Sequence, residues 1–346
     1  MTNINIGIIG YGYWGPNIVR NFAEIPQVQV TIISDLKPEL LTKAQARYPT
    51  IQVTTNCRDI FTDPKINAVV IATPVSTHFD LALAALQAGK HVLVEKPMTV
   101  SSEQAIRLIE EAEKRNLVLM VDHTFVYTGA IRKMRDLVVT NAIGNIYYYD
   151  SVRVNLGLFQ HDVNVIWDLA VHDLSIMNYI LPSQPYAVSA TGMSHVVGEP
   201  ENIAYLTLFF EGNLIAHIHV NWLAPVKVRR TLIGGSQRMI VYNDLEPSEK
   251  VKVYDKGITV NGNNSAEKVY QMLIGYRTGD MWSPQLDMTE ALRTEGLHFI
   301  ECIEKGKRPI TDGQAGFQVV KILEAATESM RTQGRLIELD KVGVAA

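Results

Sequence analysis

The first 120 residues alternate between short apolar runs and longer segments in which apolar residues recur with helical spacing. The apolar runs are Ile4–Ile9, Val28–Ile33, Ala68–Ala72, His91–Val94 and Leu117–Val121. The segments with helical spacing are residues 15–23, 38–47, 77–88 and 101–115. Strands that are apolar on both faces and separated by helices are typical of a parallel sheet with helices on both sides. The pattern predicts an α/β domain over residues 1–122.

After residue 122 the pattern changes. Helices are predicted over Gly129–Val139, Val165–Ile180, Thr289–Lys305 and Gln314–Thr332. Strand-like runs cover residues 146–155, 187–190, 203–210, 214–222, 228–233, 239–242 and 251–254. Turn signals such as Gly212 separate these runs, which favours hairpins. Residues 123–346 are therefore expected to form an α+β domain with a large, mostly antiparallel sheet, in which residues 257–284 give no clear signal.

The composition of the chain argues against several classes of function. The chain has 346 residues, of which 47% are hydrophobic, and a net charge of −4. The length and the hydrophobic content are enough for two cores. The net charge lacks the basic excess typical of nucleic-acid binding. The two cysteines, Cys57 and Cys302, form no C-x-x-C pair, which favours a reducing compartment. No run approaches the roughly 18 apolar residues of a membrane span. We expect a soluble, cytoplasmic protein with neither a nucleic-acid nor a membrane partner.

A glycine-rich turn follows the first predicted strand. Residues 10–15 read Gly-Tyr-Gly-Tyr-Trp-Gly, which matches G-x-G-x-x-G between a strand and a helix. Gly10 permits a tight turn, Gly12 lets the backbone approach a pyrophosphate, and Gly15 lets the helix pack closely. The start of the helix offers N–H groups to the anion. The turn predicted to bind a dinucleotide comprises Gly10, Gly12, Tyr13, Trp14 and Gly15.

Asp35 ends the second predicted strand, 20 residues after Gly15. A carboxylate there can accept hydrogen bonds from an adenosine ribose and repels a 2′-phosphate, which favours NAD over NADP. Lys37, two residues later, weakens this preference for NAD. The alternative interpretation is a Rossmann domain of the methyltransferase type or one with a purely structural role.

Polar and proline residues mark two further strand ends. Residues 95–97 read Glu-Lys-Pro at the carboxyl end of a parallel strand, the edge where α/β sheets bind ligands. Pro97 disfavours helical angles at Lys96 and so keeps the lysine at the strand end. An ordinary solvated lysine is the alternative. Residues 72–74 read Ala-Thr-Pro at another strand end, and an Asp168-x-x-x-His172 pair lies downstream.

With these four motifs in order, the sequence resembles the family of glucose-fructose oxidoreductase and inositol 2-dehydrogenase (Gfo/Idh/MocA) over essentially its whole length. The resemblance implies a Rossmann domain with NAD, followed by a domain for substrate binding and oligomerisation. It implies a catalytic set that also contacts the substrate, namely Lys96, Asp168 and His172. It implies that the nicotinamide half of the cofactor is lined by Thr73, Pro74, His78, Glu95 and Lys96. The sequence departs from the family at residues 164–167, which read Asn-Val-Ile-Trp where many relatives carry glycines.

The chemistry of alcohol oxidation suits these residue types. On a helix, Asp168 and His172 share a face. A neutral histidine can take the alcohol proton near neutral pH, and Lys96 can stabilise the alkoxide charge. Asp168 would bind a neighbouring hydroxyl or orient the imidazole. Two alternatives stay open: an ordinary helical Asp–His pair, and a pair of metal ligands with residues 161–162 nearby, although the spacing matches no zinc signature.

The sequence leaves the substrate open. The resemblance favours the branch acting on nucleotide-linked sugars, such as UDP-N-acetylglucosamine at C3. An inositol, another polyol or a free sugar is the first alternative, and the reaction can run in either direction. A dinucleotide-binding regulator without catalysis is the alternative from another class.

Several further residues are candidates for contacts. His123 and Arg153 are expected to contact the substrate. His217 and His219 alternate in a strand and share a sheet face, so they are interpreted as structural or interfacial. An apolar sheet face without helices over it usually becomes an interface, which predicts a homodimer or homotetramer.

Overall fold

The computed structural model describes residues 3–157, 163–260 and 274–339. The chain divides into two compact units. The first comprises residues 1–128 and 289–324, and the second comprises residues 129–288 and 325–346. The chain therefore returns to the first unit near its end, whereas the sequence-based division puts all residues after 122 into one domain.

The first unit is built around a six-stranded parallel sheet with the order β3-β2-β1-β4-β5-β6. Its strands are β1 (Ile4–Ile9), β2 (Val28–Ser34), β3 (Gln52–Thr54), β4 (Ala68–Ile71), β5 (His91–Glu95) and β6 (Leu119–Asp122). Its helices before residue 128 are α1 (Gly15–Ala23), α2 (Pro38–Arg47), α3 (Arg58–Thr62), α4 (His78–Gln87) and α5 (Ser102–Lys114). Every residue of β4 is buried, as expected for a central strand with both faces covered. The α/β prediction is confirmed.

Strand β3 and helix α3 are not predicted from the apolar pattern of the sequence. Both are short, and β3 is a partly exposed edge strand of three residues without an apolar run. Ser101 caps the N-terminus of α5, because the Gln104 N–H donates to Ser101 Oγ at 3.2 Å.

The second unit contains a nine-stranded sheet with the order β16-β13-β12-β11-β7-β10-β9-β8-β17. Its strands are β7 (Ile146–Leu156), β8 (Ala187–Met193), β9 (Ile203–Phe209), β10 (Ile215–Asn221), β11 (Leu223–Gly235), β12 (Met239–Asn243), β13 (Val251–Tyr254), β16 (Met281–Trp282) and β17 (Ile337–Glu338). Among the described strands of this sheet, β7 and β10 run parallel and the other neighbouring pairs are antiparallel. A two-stranded sheet, β14 (Gly257–Val260) with β15 (Ile274–Arg277), lies in the segment that gave no sequence signal.

One face of the large sheet is buried and the other is open. Ala204, Leu206 and Leu208 of β9 are fully buried, whereas Tyr205 between them is 41% exposed. Helices α6 (Gly129–Val139) and α7 (Val171–Ile180) pack against each other, and α7 packs on β7. The alternation along β9 is the period of two that a half-covered sheet requires.

The segment before α7 is not the α-helix that the sequence predicts. Residues Ile166–Ala170 form a π-helix, and α7 begins only at Val171. Short π-helical turns often occur at functional sites. Asp168 lies in this wide turn and His172 lies in α7, so the two residues are not on one regular α-helix.

Two helices close the chain, α8 (Ala291–Lys305) and α9 (Gly313–Arg331). Helix α8 belongs to the first unit, where Phe299 packs edge to face on Phe22 of α1 with 6.4 Å between ring centroids. Among the described residues, every helix is too short or too polar to span a bilayer.

Candidate functional site

The turn between β1 and α1 has the glycine geometry of a dinucleotide site. Gly10 has φ +100°, and a Cβ there would lie 2.3 Å from the Ala72 carbonyl oxygen. A Cβ on Gly15 would lie 2.4 Å from the Gly10 oxygen. A Cβ on Gly12 would meet nothing within 4 Å. The chain's own packing therefore requires the outer two glycines, while Gly12 faces open space, so its predicted role beside a pyrophosphate stays a prediction.

Asp35 is held at this turn by backbone hydrogen bonds. The Tyr11 N–H donates to Asp35 Oδ2 at 2.7 Å, and the Lys37 N–H donates to Oδ1 at 2.9 Å. The carboxylate thus joins the end of β2 to the glycine turn. This is the position from which an acid contacts a ribose in a Rossmann domain. Within the turn, Tyr13 is 93% exposed, and the Trp14 indole nitrogen lies 3.4 Å from Asp122 Oδ2.

The His78 ring lies between the segments that follow β4 and β5. The ring is 1% exposed, with Nδ1 2.8 Å from the Pro97 oxygen and Nε2 2.8 Å from the Thr73 oxygen. Burial lowers the pKa of His78, and a neutral ring, which has a single N–H, donates to only one of these two carbonyl oxygens. The Thr73 hydroxyl lies 2.7 Å from that of Thr77, and the Lys96–Pro97 peptide bond is cis. His78 thereby ties the turn after Thr73 to the turn that carries Lys96. Contact of His78, Thr73 or Pro74 with the cofactor stays a prediction.

The carboxyl groups of Glu95, Asp122 and Glu295 form a cluster near Lys96. Glu95 and Asp122 are register partners at the ends of β5 and β6, and Glu95 Oε2 accepts the Lys96 backbone N–H at 2.9 Å. Burial raises the pKa of Glu95 well above its usual range, the Asp122 charge adds to this, and Lys96 opposes it. Burial, followed by the Asp122 charge, also raises the pKa of Glu295 on α8. Burial and the neighbouring charge thus both favour the protonated forms of Glu95 and Glu295.

Asp122 and Glu295 are not among the site residues predicted from the sequence. The position of Asp122 could have indicated its place in the cluster, because it ends a parallel strand next to the strand that ends at Glu95. The spacing of Glu295 could have indicated its burial, because it stands with Leu292 and Phe299 on the buried side of α8.

His123 is a buried ring without a hydrogen-bond partner among the described residues. It is 1% exposed, and neither ring nitrogen is paired. Burial, and then the charge of Lys96, lower its pKa to about 3, so the ring is neutral at physiological pH. Buried polar atoms are normally paired, and such an exception is expected where a ligand completes the pairing. His123 therefore suits its predicted role in substrate contact, which stays a prediction.

In the second unit, Asp168 and His172 lie on consecutive elements. The Trp222 indole N–H donates to Asp168 Oδ2 at 3.0 Å. The His172 carbonyl oxygen accepts the Ser175 hydroxyl at 2.8 Å. Residues 161–162, weighed as further metal ligands, lie outside the described residues. Among the described residues no group of three or more His, Cys, Asp or Glu side chains could hold a metal ion.

Arg153 lies in a buried network. Its guanidinium is 3% exposed, and its Nε donates to Asp173 Oδ2 at 2.6 Å. The Ser151 hydroxyl donates to Asp173 Oδ1 at 2.6 Å. This network joins β7 to α7 directly beside His172, a role for Arg153 and Asp173 that the sequence did not indicate. Substrate contact by Arg153 stays a prediction.

His217 and His219 lie on the open sheet face. The Tyr205 ring stacks on both, at centroid distances of 6.2 Å and 4.4 Å. His217 Nδ1 is 3.5 Å from Asp150 Oδ1. This placement fits a structural or interfacial role.

Comparison with known proteins covers both units. Residues 4–123 match the sequence model of an oxidoreductase family with an NAD-binding Rossmann fold, and residues 135–339 match the C-terminal alpha/beta domain of the same family. The UDP-N-acetylglucosamine 3-dehydrogenase of Acidithiobacillus ferrooxidans is 27% identical over 92% of this chain and 95% of its own. The myo-inositol 2-dehydrogenase of Thermotoga maritima is 23% identical over 98% of this chain and 99% of its own.

A solved structure shows the same fold. Levoglucosan dehydrogenase in complex with NADH and L-sorbose superposes with a TM-score of 0.82 at 21% identity, over 98% of this chain and 99% of that chain. With the glycine turn, Asp35 and Lys96 arranged as described, the two family matches establish that the chain belongs to the Gfo/Idh/MocA family of NAD-binding oxidoreductases.

Proposed function

We propose that the protein oxidises a secondary hydroxyl of a sugar, or reduces the corresponding ketone, and that its substrate is nucleotide-linked, such as UDP-N-acetylglucosamine at C3. The observation that carries the proposal is the setting of Lys96. The lysine follows the strand that ends at Glu95, in the unit that contains the glycine turn, and its charge acts on the unpaired, neutral ring of His123. A cation beside an unpaired polar ring suits the binding of a polar hydroxylated substrate.

The cofactor is held by residues that the first unit brings together. The open space at Gly12 and the N-terminus of α1 suit the pyrophosphate, and Asp35 suits the ribose. Lys96 and Glu95 are assigned to the nicotinamide half together with Thr73, Pro74 and His78. When bound, NAD⁺ supplies the acceptor for the hydride that leaves carbon.

The chain's own residues handle the proton and the charge. Oxidation of the alcohol removes a proton from oxygen, and His172 is assigned as the base that accepts it. Lys96 stabilises the negative charge that develops on the same oxygen. Asp168 is a fixed acceptor for a neighbouring hydroxyl or for the imidazole N–H.

The nucleotide-linked substrate is favoured by the likeness to the UDP-N-acetylglucosamine 3-dehydrogenase, which extends over nearly all of both chains. The myo-inositol 2-dehydrogenase is matched over a longer segment at lower identity, so an inositol is the second candidate. Assembly into a homo-oligomer through the open sheet face and a cytoplasmic location also stay proposals.

Turnover with a substrate panel tests the proposal. Purified protein is incubated with NAD⁺ and UDP-sugars, inositols or free hexoses, and NADH is followed by its absorbance. We expect turnover of a UDP-sugar. We also expect that Lys96→Ala lowers kcat by about 10²- to 10⁴-fold and still binds NADH.

The control is Lys43→Ala, which removes an exposed lysine of α2 and is expected to leave kcat unchanged. Turnover of inositol alone would contradict the nucleotide-sugar assignment. NADH binding without turnover of any compound would contradict the catalytic assignment.

A further inference from the structure

The carboxylate of Asp168 receives a hydrogen bond from a tryptophan that belongs to none of the sequence motifs. Trp222 stands between β10 and β11, is 1% exposed, and places its Nε1 3.0 Å from Asp168 Oδ2. An indole N–H only donates and does not titrate near physiological pH. The bond is therefore available to the carboxylate at any pH at which the protein is folded.

Trp222 is itself fixed at its backbone and its ring. The Trp222 backbone N–H donates to the Asn202 carbonyl oxygen at 2.9 Å, and the Trp222 carbonyl oxygen accepts the Gly157 backbone N–H at 3.1 Å. A Cβ on Gly157 would lie 2.9 Å from Trp222 Cδ1, so the ring packs directly on the glycine backbone. The donor that meets Asp168 therefore has little freedom to move.

Asp168 lies in an irregular helical segment. It is the middle residue of the π-helix Ile166–Ala170, and its backbone N–H donates to the Asn164 oxygen at 3.3 Å. The indole bond comes from the junction of β10 and β11, outside this segment. It therefore fixes the carboxylate relative to the sheet.

We propose that Trp222 is the positioning residue for Asp168, and that its indole N–H holds the carboxylate in the orientation in which it acts on the substrate. The inference rests on the proposed function in one respect, the role of Asp168 in catalysis. The strand-end tryptophan contributes geometry and takes no part in proton transfer.

Nuclear magnetic resonance tests the contact without any assay of activity. The sequence has 4 tryptophans, so protein labelled with ¹⁵N in the indole rings gives one N–H signal from each. Trp222→Phe assigns the signal, and Asp168→Asn should move it more than the other three, because a bond to a charged acceptor becomes one to a neutral acceptor. The control Asp150→Asn, which changes a carboxylate on the open sheet face, should leave the Trp222 signal in place.

Kinetics tests the positioning role. Trp222→Phe should lower kcat by about 10- to 100-fold, the range expected for loss of a hydrogen bond to a charged group, with the KM for NAD⁺ unchanged. In an Asp168→Asn background the same substitution should have no further effect. Replacement of Trp222 by 3-benzothienylalanine, which puts sulfur in place of N–H at the same ring size, should reproduce the result if the phenylalanine variant folds poorly.

The matched control is Trp167→Phe. The Trp167 indole N–H donates to Thr327 Oγ1 at 3.0 Å, so this variant loses a similar bond without touching the Asp168 carboxylate. We expect its kcat to change by about threefold or less.

Two outcomes would overturn the inference: a Trp222 signal that ignores Asp168→Asn, or an equal loss of kcat in both backgrounds. If the wild-type protein turns over no compound, the proposed function fails, and the Trp222 signal then decides separately whether the indole holds Asp168.

Discussion

Glu295 has no exposed surface and points into the same cluster as Asp122, although α8 is far from β6 in the chain. Its raised pKa means that the folded state holds a proton which the unfolded state releases above the usual pKa of a glutamate. The folded state therefore binds more protons, and stability falls as pH rises from that value towards the folded pKa. A neutral side chain of the same shape removes this dependence.

We expect Glu295→Gln to raise the melting temperature at pH 8 and to have a much smaller effect at pH 5. The glutamine amide would stand near the Asp122 carboxylate without carrying a titratable proton. The gain at pH 8 should grow with the upward shift of the Glu295 pKa, since each pKa unit corresponds to about 1.4 kcal/mol. Thermal melts at both pH values measure it, with Glu110→Gln, on the exposed side of α5, as the control. Parallel pH profiles for wild type and variant would contradict the assignment.

How far single residues can be predicted depends on how local their signal is. Asp35 and the three glycines of the turn lie within one strand–turn–helix unit, and spacing alone assigned them. The bond between Asp168 and Trp222 joins residues 54 positions apart, and no periodicity encodes it. The motifs thus predict which residues take part in the chemistry but give no prediction of which residues hold them in place.

At the scale of elements, the turn between β1 and α1 separates two uses of glycine. Gly10 has a positive φ, and a Cβ there would collide with the Ala72 backbone, whereas Gly12 faces open space. The first glycine is therefore needed to fold the turn, and the second is predicted to leave room for the cofactor.

We expect Gly12→Ala to leave the melting temperature nearly unchanged and to weaken NADH binding by about tenfold or more, because the methyl group occupies space that the pyrophosphate requires. Gly10→Ala should instead destabilise the first unit by about 2 kcal/mol or more. Fluorescence titration with NADH and thermal melts separate the two effects. If Gly12→Ala binds NADH as tightly as the wild type, the pyrophosphate does not lie at this glycine.

The π-helix shows the limit of prediction at this scale. The apolar spacing over residues 165–180 predicts one α-helix, and α7 confirms its second part. The first part differs because it is held by bonds to distant segments: Asn164 Nδ2 donates to Glu201 Oε2 at 3.1 Å, and Asp168 accepts the Trp222 indole. Local spacing carries no information about such tertiary contacts.

At the scale of the whole molecule, the sequence predicts both sheets but not the path of the chain between the units. The apolar pattern of α8 identifies a helix, yet it does not say which sheet the helix covers. The contact of Phe299 with Phe22 joins segments more than 270 residues apart, so the return of residues 289–324 to the first unit becomes visible only in three dimensions.

The open face of the nine-stranded sheet carries apolar side chains side by side. Ile215 on β10 is 44% exposed and lies between Tyr148 on β7 and Phe209 on β9. Tyr205 stacks on the two histidines of β10 on the same face. A second copy of the chain can cover such a face by a symmetric contact, which a stable dimer makes with about 800 Å² from each partner.

We therefore expect light scattering to show a homodimer or homotetramer at micromolar concentration. Ile215→Glu should shift the protein towards the monomer without unfolding it, because a glutamate there can reach water in the monomer but would be buried without a partner in the interface. The matched control is Val139→Glu, at an exposed apolar position at the end of α6, away from the sheet. A wild-type protein that stays monomeric at micromolar concentration would show that this face does not mediate self-association, whereas dissociation of both variants would place the contact elsewhere than on the sheet.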